Sequence, residues 1–195
     1  MNEPNLLVFL CRHGETAWTL SGQHTGSTDL SLTEKGKTQA LELGKQLQKI
    51  HFARIFTSPL KRAKETCIFA GFERRLEEDP HLVEWNYGNY EGLTSQEIRA
   101  KHPTWDLFTQ GAPGGESSST VGHRADQFIQ TLLKQNGKVV VFSHGHFLRV
   151  LAARWIGLMP EMGKAFSLSV ASLGILGFEA DLPAIKLWNN SFLIT

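Results

Sequence analysis

The stretch LLVFLCRHGETAW, Leu6 to Trp18, passes without a break from a wholly apolar run into an arginine, a histidine, a glycine and a glutamate. An apolar run with no polar alternation reads as a strand buried on both faces, and such strands belong to parallel sheets covered by helices on each side. The polar residues then fall just past the strand's carboxyl end, where sheets of this class collect ligands. RIFT (Arg54 to Thr57) and KVVVFS (Lys138 to Ser143) repeat the pattern, with SPLKR following the first and HGH the second.

Helical patterns lie between these runs. Ala40, Leu43, Leu47 and Ile50 recur at helical spacing and predict a helix over Glu34 to Ile50, with Ser31 and Glu34 placed as a capping box. Ser58 before Pro59 predicts a second helix start, with the serine as N-cap. Ser117 to Gly137 reads as a third helix stopped by its glycine, and His146 to Leu158 as a fourth. LGILGF (Leu173 to Phe178) and AIKLW (Ala184 to Trp188) are two further strands joined by a turn around Asp181 and Pro183. The alternation predicts an α/β fold, a three-layer α/β/α sandwich with a mostly parallel sheet.

A chain of 195 residues, 41% hydrophobic, is expected to form a single domain over residues 1–195. The segment of about residues 85–119, ending in the glycine- and serine-rich QGAPGGESSST, is expected to act as a lid. A net charge of +1 leaves no surplus of cations, so neither nucleic acid nor a membrane surface is an expected partner. No apolar run reaches the length of a bilayer and no signal peptide opens the chain, which predicts a cytoplasmic protein. Cys11 and Cys67 lack paired metal spacing and read as reduced packing residues.

Three strand ends deliver Arg12, His13, Arg62 and His144 towards one edge of the sheet, and Glu84 follows a fourth short apolar run. Each residue alone has a bland reading as a hydrogen-bonded or solvated side chain. Arg62 is an odd choice in a first helical turn, because a cation there opposes the helix dipole unless an anion sits between them. A phosphate dianion suits the group as a whole, with guanidinium forks pairing its oxygens and imidazoles completing the shell. A divalent metal does not suit it, since Arg12 and Arg62 would repel the ion, so no metal is expected. His146 reads as a capping or packing residue, and Trp85, Tyr87 and Tyr90 have a packing reading too.

RHGETAW, the later TG at Thr25 and Gly26, SPLKRAKET, VEWNYGNYEG and SHGH together resemble the histidine phosphatase superfamily, the phosphoglycerate mutase-like proteins. SGQHTGSTDLSLT, EWNYGNYEG and HGHFLR are most similar to its sedoheptulose-bisphosphatase-like members. The resemblance implies a phosphoglycerate mutase-like fold, His13 as the nucleophile that becomes phosphohistidine, and Arg12, Arg62 and His144 as the phosphate pocket. It implies Glu84 as proton donor and Thr25 and Gly26 as substrate contacts, with Tyr87 and Gly145 beside them. Thr19 stands where many relatives carry asparagine and is expected to give a weaker phosphate contact. The physical reading runs alongside: two guanidinium groups disfavour the imidazolium of His13, and a carboxyl facing a phosphate dianion tends to keep its proton.

Cofactor-dependent mutases of this family carry consecutive arginines after the acid, whereas Trp85 to Glu116 offers only Arg99 and Lys101. The long segment that the sugar-bisphosphatase members carry before their final strands is also missing. The expected function is therefore a cofactor-free phosphomonoesterase acting on small phosphorylated metabolites such as sugar phosphates. A mutase is the alternative enzyme, and a catalytically silent phospho-ligand binding module is the alternative without chemistry.

Overall fold

The computed structural model describes residues 5–191. In chain order, the first half contains β1 (Leu6–Arg12), α1 (Ala17–Ser21), α2 (Glu34–Leu47), β2 (Arg54–Thr57), α3 (Lys61–Phe69) and β3 (Leu76–Glu78). The second half contains α4 (Ser95–Lys101), α5 (Leu107–Gln110), α6 (Ser118–Leu132), β4 (Gly137–Ser143), α7 (Gly145–Trp155), β5 (Leu173–Glu179) and β6 (Leu182–Asn190).

Leu6, Val8 and Leu10 of β1 join one apolar cluster while Phe9 and Cys11 join another, and all five are buried. Val139 and Val141 of β4 divide from Val140 and Phe142 in the same way. Successive strand residues face opposite sides, so a strand apolar on both sides needs a helical layer over each. Phe128 and Leu132 of α6 with Phe147 and Leu151 of α7 close the first cluster. Leu43 and Leu47 of α2 with Cys67 of α3 close the second. The result is the expected three-layer sandwich.

The sheet runs in the order β3-β2-β4-β1-β5-β6. β3, β2, β4 and β1 pair in parallel, and β5 and β6 form an antiparallel hairpin along β1. β1 and β4 are in register to their last residues, with Arg12 opposite Ser143. The loops that follow them therefore start side by side.

Three helix boundaries differ from the sequence reading. Thr33, not Ser31, caps α2 by accepting the Gly36 N–H at 3.0 Å. The helix after SP begins at Lys61 with Leu60 as an N-cap that makes no side-chain bond, because the Ser58 hydroxyl lies 2.8 Å from His144 Nε2. The third helix ends at Leu132, and Gly137 opens β4 at a φ of 78°, a left-handed conformation that glycine adopts without strain.

α2 and α3 hold the RHG loop from the second-cluster side. Gly14 N–H donates to Thr66 Oγ1 at 3.0 Å and Glu15 N–H donates to Gln39 Oε1 at 2.8 Å. The first turn of α2 is pressed against that loop: a Cβ on Gly36 would stand 2.2 Å from the Glu15 carbonyl oxygen, and one on Gly14 would stand 2.5 Å from that of Gly36. Both neighbours are backbone and neither can rotate away. Gly36→Ala should therefore lower the urea unfolding free energy by about 1–3 kcal/mol, the usual cost of overpacking. A loss below ~0.5 kcal/mol, ordinary for a surface substitution, would show that the two segments separate freely.

Candidate active site

His13 follows β1, and its backbone N–H donates to the Ser143 carbonyl at 3.0 Å, tying the two strand ends together. Its ring Nδ1 lies 2.8 Å from the Gly14 carbonyl. A carbonyl only accepts, so Nδ1 carries the proton and Nε2 keeps its lone pair. Burial, then the charges of Arg62 and Arg12, hold the His13 pKa well below 6.5 against a smaller opposing effect of the Gly14 hydrogen bond. His13 is thus a neutral imidazole on the wall of a cavity of about 180 Å³.

Arg12, Thr25, Glu84, Tyr87 and Gly145 share that wall. Arg12 Nη1 donates to the Leu168 carbonyl at 2.5 Å, whereas its buried Nε–H has no acceptor among the described residues. The guanidinium lies against the first turn of α7, where a Cβ on Gly145 would sit 3.1 Å from Arg12 Cζ. Gly145 is the small residue that lets the cation approach a helix start.

The carboxylate of Glu84 compensates that charge. Oε1 accepts the N–H groups of Trp85 and Phe147, both at 2.9 Å, and Oε2 accepts that of His146 at 3.0 Å. Two of these donors are the otherwise orphaned N–H groups that open α7. Arg124 of α6 fixes the preceding backbone, donating to the carbonyls of His81, Val83 and Glu84 while pairing with Glu116 at 2.8 Å.

Arg62 and His144 stand behind this wall and do not line the cavity. Arg62 is completely buried and donates through Nη2 to the carbonyls of Thr25 (2.9 Å) and Gly26 (3.0 Å). Its Nη1 reaches Thr28 O at 3.1 Å and its Nε reaches His144 Nδ1 at 3.1 Å. Arginine only donates, so His144 Nδ1 is bare and its Nε2–H points to Ser58 Oγ. Both ring nitrogens of His144 are committed to protein partners, with the ring centroid 5.2 Å from that of His13.

Two further expected contacts sit differently from their sequence reading. The Gly26 N–H is held by the Glu91 carboxylate at 2.9 and 3.1 Å, and Gly26 lies on an adjoining cavity. Thr19 does line the main cavity, but its hydroxyl donates to the Thr16 carbonyl at 2.9 Å inside the α1 cap. That hydroxyl has one proton and it is spent.

His24, His146 and Arg149 also line the cavity, and sequence reasoning did not place them there. Tyr87 Oη and His146 Nδ1 lie 2.6 Å apart, and burial pushes the phenol well above its ordinary pKa of 10.0. Gly145 and Arg149 are one helical turn apart on α7, a periodicity that could have been read beyond SHGH. Arg124 carried no such signal, since the loop it organises is some forty residues away in sequence.

A neutral histidine beside a guanidinium, at the carboxyl end of a parallel sheet, is the setting of a histidine-based phosphatase. Residues 8–191 match the Histidine phosphatase superfamily (branch 1), and the chain belongs to that family. It is 40% identical to an acid phosphatase of Mycobacterium tuberculosis, over 92% of this chain and 90% of that one. It is 34% identical to the sedoheptulose 1,7-bisphosphatase of Saccharomyces cerevisiae, over 76% of this chain and 67% of that one. The solved structure of an open reading frame product of Mycobacterium tuberculosis superposes with a TM-score of 0.92 at 38% identity, covering 96% of this chain and 98% of the other. The protein is a phosphatase of the histidine phosphatase type. Among the described residues, no helix is long and apolar enough to cross a membrane.

The buried histidines give the fold a pH dependence. Burial holds His13, His144 and His146 well below 6.5 and His24 at about 4. Unfolded, each takes up its proton near pH 6.5; folded, only at lower pH. The unfolded state therefore binds more protons in that window, and stability falls with pH by about 1.4 kcal/mol per unit for each histidine. Urea midpoints should be lower at about pH 5 than at about pH 7, and equal midpoints would mean that folding leaves these rings free to titrate.

Proposed function

We propose that the chain hydrolyses small phosphorylated metabolites, sugar phosphates among them, through a phosphohistidine formed on Nε2 of His13. The observation that carries this reading is the 2.8 Å contact from Nδ1 to the Gly14 carbonyl, which leaves Nε2 as the nucleophile. Nε2 attacks phosphorus as the ester P–O bond breaks, and the leaving alkoxide takes a proton from Glu84. Water then attacks the phosphohistidine, Glu84 takes the water's proton, and the P–N bond breaks to release inorganic phosphate.

Arg12 supplies the charge that stabilises the transferring oxygens, with the unpartnered Nε–H as its ready donor. Arg62 and His144 serve as positioning residues, since their hydrogen bonds are spent on the loop and on each other. Glu84 must enter the reaction as the acid. In the structure all three of its contacts are N–H donors, which suit a carboxylate, so Glu84 has to take up its proton from solvent as the phosphate dianion binds beside it. Residues 85–119 act as the cover of the site, with Tyr87 on the cavity wall and Trp105 packed 5.6 Å from His24.

His13→Ala should abolish phosphate release while leaving the urea midpoint close to wild type, and acid-labile phosphate should be trapped on the wild-type chain during turnover. Release needs no bisphosphate primer, survives EDTA and is inhibited by vanadate. Appreciable hydrolysis by folded His13→Ala protein, or activity lost to EDTA and restored by zinc, would overturn the assignment.

Glu84→Gln should slow alkyl phosphates by about 10²–10⁴-fold, the range of general acid catalysis. Rapid-quench single turnovers on an aryl phosphate should show a smaller loss in the first step, because a phenolate leaves without a proton. Equal slowing for both leaving groups would reduce Glu84 to a cap of α7.

A further inference from the structure

We infer that a second cavity, on the far side of His24 and His146 from His13, is an anion subsite that selects substrates carrying a carboxylate or second phosphate on the same small skeleton. This rests on reading the His13 cavity as the phosphoryl site. The two cavities share His24, His146 and Arg149 as walls. The rings of His24 and His146 are 5.9 Å apart, so a single layer of side chains separates the spaces. A ligand seated on His13 would need only a short skeleton to reach across.

The charges in the second cavity are unbalanced. Arg99, Arg149 and Lys164 line it against one carboxylate, Asp106. Among the described residues none of the three cations has a carboxylate within ion-pair distance, whereas Arg124 pairs with Glu116 and Arg154 with Asp126. Asp106 is occupied at the start of α5, where Oδ1 accepts the Thr109 N–H at 3.1 Å. It still acts on Arg149 as a counter-charge, so three cations face one anion.

Arg149 is the fixed member of the three. Its guanidinium lies 4.5 Å over the Phe108 ring, with Nε donating to Gly163 O at 3.1 Å and Nη2 to Lys164 O at 2.9 Å. Three of its five N–H groups remain without a bond in the structure, on a residue that lines both cavities. Burial works most strongly against its cation; Glu84, Tyr87 and Asp106 favour it while Arg12 opposes it, and a bound anion would offset the burial cost. Arg99 and Lys164 come from different elements, the exposed end of α4 and the 3-10 turn Pro160–Ala165; Arg99 Nε donates to the Trp105 carbonyl at 3.2 Å, which leaves its Nη groups and the Lys164 ammonium for a ligand. The arrangement discriminates by charge at the end of the substrate away from the reacting phosphorus.

Matched substrates test this. 3-Phosphoglycerate against glycerol 3-phosphate isolates the carboxylate, and fructose 1,6-bisphosphate against fructose 1-phosphate isolates the second phosphate. In at least one pair the member with the additional anionic group should have the higher kcat/KM by about tenfold or more, equivalent to ~1.4 kcal/mol. The pair that shows it names the distal group. Arg99→Ala/Lys164→Ala, which changes only exposed side chains, should collapse that ratio towards one. No preference in either pair, or a preference unchanged in the double variant, would overturn the subsite while leaving the phosphatase reading intact. If wild-type protein releases phosphate from none of the four, the proposed substrate class falls instead, and calorimetry decides the subsite. Tighter binding of 3-phosphoglycerate than glycerol 3-phosphate, lost in the double variant, would sustain it; equal or absent binding would overturn it.

Discussion

Arg62 carries a full positive charge with none of its side chain open to water. A guanidinium stripped of solvent is tolerable only where protein acceptors replace the water, and much of the site is arranged to supply them. The carbonyls of Thr25, Gly26 and Thr28 turn towards Arg62, while the N–H groups of Gly26 and Thr28 turn the other way to the Glu91 carboxylate. One turn of chain is clamped between a cation and an anion. Gly26 is the residue that fits: a Cβ there would stand 2.6 Å from the Trp85 carbonyl oxygen and 2.7 Å from Glu91 Oε2. The fourth acceptor of Arg62 is His144, so the same charge also sets the tautomer of the residue that opens α7.

This arrangement separates residues that touch the cavity from residues that hold them. His13, Arg12 and Glu84 face it; Arg62, His144, Ser58 and Arg124 stand behind, bonded chiefly to other protein groups. A catalytic group is useful when its geometry is settled before substrate arrives, and a supporting layer hydrogen-bonded to the protein on several sides settles it. Glu84 shows both halves. Arg124 fixes its backbone from α6 and the first turn of α7 fixes its carboxylate, so two helices and a loop must be in place for the group to exist.

Charge in the pocket is carried by arginine, and burial keeps the imidazoles neutral. The pKa values of His13, His144 and His146 are all pushed far down, by desolvation first and then by neighbouring guanidinium groups. The same cations that attract a phosphate thus keep the nucleophile unprotonated. Function and stability meet here: burial that readies His13 for attack makes the folded state sensitive to acid.

The sheet and the position of the site were legible in the sequence because their causes are local. Leu6 to Cys11 and Lys138 to Ser143 could be buried on both faces only as central strands, and whatever followed them had to emerge at one edge. Glu84, His13 and Arg12 were found this way, and they do share one cavity. Hydrogen-bond allocation was not legible. Ser58 looked like a helix cap and is bonded to His144; Thr19 looked like a phosphate donor and closes its own helix; Arg62 looked like a wall of the pocket and is its support. Arg124 gave no signal at all, since its partners lie near His81 to Glu84 and at Glu116. A sequence states which donors and acceptors a chain possesses. Each proton and lone pair can be used only once, and which partner takes it depends on distances that exist only after the chain has folded.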